Sequence, residues 1–305
     1  MIEQWPVELA WKKFRGERIG SSEVCTLFGL NPFETPLELW ARKTGKVQSK
    51  EGNDFMWLGT KMEPIIAQLF EKRTGKKVFP AQMCWTNDQY PDAIATPDYL
   101  ILTGTAMDGV LECKNTSYRS IQYWSDEAPP RSALMQIIWQ MGVGEREWGH
   151  VAGLVGGNPD EFFTPEVKFD KEVFTQMYEK AAVFCDLVRR DVPPDASGSD
   201  LKLLEKLYER KDETITLPDE LLEVCEQYAS FDKSYSEASK VAREYEEVRN
   251  NIKAKLIQVL GPASTGVVGK YLVNVKQINR AAHEVKAGSH LKFNLKTIEE
   301  KKDEK

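Results

Sequence analysis

Apolar residues recur at helical spacing along some stretches of the chain and in short solid or alternating runs along others, which predicts a mixed α/β protein. Between Gly59 and Gly75, Ile65, Ile66, Leu69 and Phe70 lie three and four apart, with Pro64 suited to a first turn where its missing amide donor would have no partner anyway. That reading puts Glu63 at the helix entrance, where the dipole favours a carboxylate. The run Met135–Met141 is apolar apart from Gln136 and Gln140, four apart and so on one helical face. Two amides on a buried face need partners, in the plainest case one another or nearby backbone. Val151–Val155 reads as a buried strand closed by Gly156-Gly157-Asn158-Pro159. Asp170 to Arg190 is amphipathic, with Val173, Met177, Ala181 and Phe184 on one stripe.

The turn-rich segment Pro193-Pro194-Asp195-Ala196-Ser197-Gly198-Ser199 divides the chain into a core, residues 1–195, and a carboxy-terminal addition, residues 196–305. All eight tryptophans lie at or before Trp148, which marks the first half as the densely packed part. Asp219 to Leu260 contains neither Pro nor Gly, and its apolar residues from Leu221 to Leu256 step by three or four, predicting one long helix or two with a narrow stripe. Packing on the core is the default for such a stripe; another subunit or a separate protein are the alternatives. A strand is expected at Gly269–Lys276, and Lys296–Lys305 is too charged to pack.

Two short segments carry candidate chemistry. On an extended strand Glu112 and Lys114 project to one side and Cys113 to the other. If the chain turns back after Ala95-Thr96-Pro97-Asp98, with Gly104 and Gly109 available for the connection, Asp98 approaches Glu112 across a hairpin ladder. Two hard oxygen ligands beside one ammonium suit a divalent cation gripping a phosphodiester, although a turn-capping Asp98 and a surface Glu–Lys pair would leave the same letters.

Composition narrows the setting. The chain has 305 residues with 41% hydrophobic content, enough for a sizeable core. It has no apolar run of membrane-spanning length, and Met1–Pro6 does not read as a signal peptide, so a cytoplasmic protein without membrane contact is expected. The five cysteines are scattered, which argues against a disulfide framework or zinc ribbon. The three histidines, His150, His283 and His290, read as surface or packing residues. A net charge of −6 argues against a DNA-coating protein, yet leaves room for a local basic channel. Lys12, Lys13, Arg15 and Arg18 form one basic cluster; Lys72, Arg73, Lys76 and Lys77 form another, read as a solvated helical face.

Taken in order, Arg15…Ile19-Gly20-Ser21-Ser22, Asn31-Pro32-Phe33-Glu34-Thr35-Pro36-Leu37-Glu38-Leu39-Trp40, Gly59…Glu63-Pro64, Pro97-Asp98, Glu112-Cys113-Lys114 and Gln136…Gln140 resemble the YqaJ-type phage recombination nucleases. These are relatives of lambda exonuclease within the PD-(D/E)xK superfamily, and the resemblance spans roughly residues 5–155. It implies an α/β fold of the restriction-endonuclease type, a mixed central sheet flanked by helices. The implied activity is a magnesium-dependent exonuclease, with manganese as a substitute, that digests linear double-stranded DNA 5′ to 3′ and leaves 3′ single-stranded tails for phage-type recombination.

By position, the resemblance gives Asp98, Glu112 and Glu63 to the metal, Lys114 to the attacking water, and Asp88 to a further active-site acid. Gln136 and Gln140 fall behind these acids. Arg15 and Ser22 match a pocket for a 5′-terminal phosphate, for which a guanidinium fork and a hydroxyl are physically apt, and Arg119 is a third contact. The expected partners are DNA ends, two further copies in a trimeric ring and a single-strand annealing protein, in a bacterium or phage-infected host. No iron–sulfur cluster is expected, since the close cysteine group of some related nucleases is missing. Two other readings share the same letters: a structure- or sequence-specific endonuclease, and a catalytically silent DNA-binding scaffold.

Overall fold

The computed structural model describes residues 14–48, 52–81, 83–102, 104, 108–209 and 211–275. Lys12, Lys13, His283, His290 and the charged end at 296–305 lie outside the described residues. Contacts group the chain into two compact units, Met1–Leu207 and Tyr208–Lys305.

In the first unit a helical turn at 14–16 is followed by β1 (Ile19–Gly20), a 3-10 turn, Val24–Phe28, and α1 (Pro36–Lys43). Thr35 caps α1 by accepting from the Glu38 amide while the Glu38 side chain returns the bond, two orphan donors satisfied at once. The next helix, α2, runs Asp54–Thr74. It starts five residues before Gly59 because the Asn53 side chain accepts from the Met56 amide and fixes the first turn there. Pro64 is therefore inside the helix, and Glu63 lies far from the helix entrance, contrary to the sequence reading. The helix does stop at Gly75, whose φ of 73° is the left-handed conformation glycine adopts without strain.

Strands β2 (Lys77–Pro80), β3 (Trp85–Thr86), β4 (Ala93–Ala95), β5 (Tyr99–Leu102) and β6 (Gly109–Thr116) follow, then α3 (Arg131–Gly144), β7 (Trp148–Val155), β8 (Phe162–Phe163), β9 (Glu166–Lys168) and α4 (Lys171–Arg189). The main sheet runs β2-β5-β6-β7-β8, with β9 also on β7. Within this sheet, among the described residues, only the β6–β7 pair is parallel, so it requires a crossover, and α3 supplies it. A smaller sheet is ordered β1-β4-β3.

Strand parity decides which side chain meets which layer. Leu111 and Cys113 join Ile66, Ala67 and Phe70 of α2 in one apolar cluster, whereas Val110 packs with Ile137 and Trp139 of α3 and Phe174 of α4. Trp139 is fully buried and donates from its ring nitrogen to the Ile94 carbonyl, 3.0 Å. This is a mixed sheet flanked by helices, the arrangement the family resemblance implies. A last helix, α5 (Leu201–Leu207), belongs to the same unit: Leu203 is buried in the core, and Asp200 just before α5 accepts from the Thr35 hydroxyl. The turn-rich segment 193–199 therefore lies within the first unit, which continues 12 residues beyond the boundary drawn at 195.

The second unit contains α6 (Leu222–Leu260) and an antiparallel hairpin of β10 (Thr265–Val268) and β11 (Tyr271–Asn274). Of the strand expected at 269–276, Tyr271–Asn274 forms β11 while Lys276 lies outside the described residues, and the partner β10 lacked a strong apolar pattern. No residue of α6 is buried.

Candidate active site

The hairpin of β5 and β6 sets the site. Tyr99 pairs with Leu111, so Asp98, one step earlier, lies opposite Glu112, and the Cys113 amide donates to Asp98 Oδ2 at 2.8 Å. Two residues on, with the same strand parity, Lys114 Nζ donates to Glu112 Oε1 at 2.6 Å. Glu112 is 2% exposed, and α3 completes its solvation shell: Gln136 Nε2 donates to Oε1 and Gln140 Nε2 to Oε2, each at 2.7 Å. Gln136 Oε1 accepts from Lys114 at 2.8 Å. The Gln136 amide is thus oriented by a cation on its oxygen and an anion on its nitrogen; reversing it would break both bonds. Neither glutamine bonds the other; both serve the buried Glu112, and Gln136 also holds its Lys114 partner. Gln140 Oε1 is buried without a hydrogen-bond partner among the described residues.

Electrostatics gather around this pair. Burial pushes the Asp98 carboxyl well above its usual range, and the charge of Glu112 adds to the rise, opposed by the Cys113 amide and Lys114. Glu63 is also raised, by burial and then by Glu112. Burial works against the Lys114 ammonium, but Glu112 and Asp98 outweigh it and hold its proton more tightly. Cys113, raised by burial, Asp98 and Glu112, is a buried neutral thiol on the opposite strand face. Carboxylates that repel one another at the end of a strand pair form a site short of positive charge.

A second group lies in the amino-terminal segment. Glu23 is buried, which disfavours its charge, yet Lys43, the Gly20 amide and Arg42 together lower its pKa. Lys43 Nζ donates to Glu23 Oε2 at 2.9 Å and to the carbonyls of Arg15 and Arg18 at 3.0 and 2.6 Å, and Arg42 spans Glu23 and Glu34. This network fixes the loop from Gly20 to Glu23, with Ser21 buried and Ser22 exposed. Arg15 is exposed, and its Nη2 would lie 3.4 Å from a Cβ placed on Gly20. Cys25 bonds the Ser22 carbonyl at 3.6 Å; burial raises its thiol pKa, and the nearby Lys114 charge opposes that rise.

A sequence model of the YqaJ-like viral recombinase domain matches residues 10–147. The chain is also 31% identical over 277 residues to the uncharacterized protein YqaJ of Bacillus subtilis (strain 168), covering 88% of this chain and 81% of that protein. The chain belongs to the YqaJ family. Among solved structures it is similar to an alkaline exonuclease from Laribacter hongkongensis, with a TM-score of 0.47 and 17% identity over 60% of this chain and 93% of that one. It is likewise similar to a phage related exonuclease from Haemophilus somnus 129PT, with a TM-score of 0.43 and 11% identity over 57% and 96% of the two chains.

The segment matched by the YqaJ-like model contains every residue of the site described above. Two expected members stand apart. Asp88 is exposed in the turn joining β3 to β4, at the start of β4, whereas Asp98 follows its end; Asn87 beside it bonds the Val143 carbonyl and Glu145 at the far end of α3. The structure does not bring Asp88 to the Glu112 group. Arg119 is exposed on the 3-10 turn Tyr118–Tyr123 beyond the end of β6, with no hydrogen bond to the site among the described residues. His150 is a packing residue between Phe70 and Trp148, its pKa lowered by burial. The second basic cluster is partly tied down: Arg73 donates to the Pro159 carbonyl, and Lys76 to His150. Sequence reading missed the Glu23–Lys43–Arg42 network, since nothing in the local spacing links residues about 20 apart.

Proposed function

We propose that the chain is a magnesium-dependent DNA exonuclease that digests linear duplex from its 5′ ends and leaves 3′ single-stranded tails for phage-type recombination. The observation that carries the reading is the buried Glu112 held by Lys114, Gln136 and Gln140, directly across the hairpin from an Asp98 whose carboxyl is driven up by burial and then by that same charge.

No group of three or more His, Cys, Asp or Glu side chains is drawn to ligand spacing among the described residues. The donors nonetheless fit a hard cation: Asp98, Glu112 and Glu63 supply only oxygens, and the rise of Asp98 and Glu63 is relieved by a positive ion. When bound there, a divalent cation lowers the pKa of water and stabilises charge on the phosphodiester oxygens. The protein groups do the rest. Gln136 and Gln140 lock the Glu112 rotamer, so both of its oxygens keep fixed directions. Lys114 spends two N–H donors on Glu112 and Gln136, leaving its third for the attacking water or a phosphate oxygen. Arg15 and Ser22 offer a terminal phosphate a guanidinium and a hydroxyl beside a loop already stiffened by Glu23 and Lys43.

The test is digestion of linear, nicked and closed circular duplex, labelled separately at each end, with magnesium or chelator, by wild type and Arg15→Ala. Loss of label from 5′-phosphorylated linear ends in magnesium, intact circles, and a preference for 5′ phosphate over 5′ hydroxyl that falls in Arg15→Ala are expected. Cutting of closed circles as fast as linear DNA would replace the exonuclease reading by an endonuclease.

A further inference from the structure

The long helix α6 is the feature the site chemistry leaves unused. Starting at Leu221, apolar residues recur alternately three and four positions apart as far as Val259, a heptad seam interrupted only by Arg249. A straight helix drifts by about 20° per heptad from such a seam, so a sustained repeat of this kind is suited to a partner helix that coils with it. The seam is open to solvent: Phe231 is 74% exposed, Tyr245 73% and Val259 88%.

Charge along the helix selects the occupant. From 219 to 232 the chain carries Asp219, Glu220, Glu223, Glu226 and Asp232 with no basic residue; from 248 to 260 it carries Arg249, Lys253 and Lys255 with no acidic one. The helix is therefore acidic at its amino end and basic at its carboxy end. A second copy laid parallel would set like ends together, whereas a copy laid antiparallel sets each acidic end on a basic one.

We propose that α6 is an interaction surface for a second copy of this chain, the two α6 helices packing antiparallel about a two-fold axis. The register that overlaps the whole helix also packs well. It places Tyr235 against Tyr245, Ala238 against Ala242, and Phe231 against Arg249, so the one charged seam residue meets an aromatic face. A contact of this kind is isologous, with each pair occurring twice. It carries one like-charged flanking pair, Asp232 with Glu246, on either side of the axis.

That unfavourable pair makes the test directional. The full-length chain, its Tyr235→Glu/Tyr245→Glu variant and its Glu246→Lys variant are compared by sedimentation over a range of concentration at low salt, with circular dichroism confirming equal helix content. Two buried acidic groups on the seam should weaken the association at least about tenfold and halve the mass of the assembly. Glu246→Lys converts repulsion into attraction and should tighten it by about fivefold. In a parallel pair Glu246 would flank Val241 and the tightening would not occur. The proposal is overturned if the wild type stays monomeric, which would hand the seam to a different protein, if the double variant keeps the wild-type mass, or if Glu246→Lys fails to tighten. The outcome is independent of whether the site in the first unit cuts DNA.

Discussion

Asp98 is half-buried beside the charge of Glu112 and must still ionise to serve a cation. Burial and Glu112 raise its pKa, so the folded protein without a cation pays for the charge. Because the folded value lies above the unfolded one, that cost vanishes below the ordinary aspartate range, near pH 4, and grows as pH rises through the window up to the raised value. In chelator the wild-type unfolding temperature should fall across this window, while Asp98→Asn stays flat and is the more stable protein at alkaline pH. Magnesium should raise the wild-type unfolding temperature more at alkaline than at acidic pH and should not raise that of Asp98→Asn. Parallel pH profiles for the two proteins would remove Asp98 from the role given to it. Turnover is expected to move the other way: Asp98→Asn, Glu112→Gln and Lys114→Ala should each lose about 100- to 1,000-fold or more, measured as rate at saturating DNA. Gln140→Leu leaves Glu112 Oε2 buried with no donor among the described residues and should cost about 1–3 kcal/mol, seen in denaturant unfolding.

At the scale of elements, two helices and a strand hold these residues in place. The site end of α2 depends on where that helix starts, and Asn53→Ala should cost about 1 kcal/mol of stability by removing its cap. The start was hidden because Phe55-Met56-Trp57-Leu58 is a solid apolar run with no helical period, and all four are exposed. Gly59 and Pro64 look more like a beginning. Beside the site, Gly153 of β7 pairs with Lys114 of β6, and a Cβ there would lie 2.2 Å from the Trp124 ring. Gly153→Ala must displace that ring or the strand; a loss of about 1–3 kcal/mol in denaturant unfolding is expected, together with slower cleavage.

For the whole molecule, the two units make separate predictions. The first has its own continuous cores and ends at Leu207, so a chain of residues 1–207 should unfold cooperatively by circular dichroism and retain metal-dependent cleavage, while losing any association that α6 provides. A 1–207 chain that folds but no longer cuts would show that the second unit contributes to the reaction. The sequence by itself determined what has short range. Strand period two puts Glu112 and Lys114 on one side, helical period places Gln136 with Gln140 and gives α4 and α6 their stripes, and glycine closes α2 at Gly75. Only the tertiary structure decided which faces meet. It gave Gln136 and Gln140 their partner in Glu112, left Asp88 at the wrong end of β4, bound Glu23 to Lys43 and Arg42, and left the α6 stripe in solvent. The physical reason is that periodicity fixes the face on which a side chain projects, whereas its partner is chosen by packing between segments distant in sequence, where buried charge must find its counter-charge and no local spacing records the match.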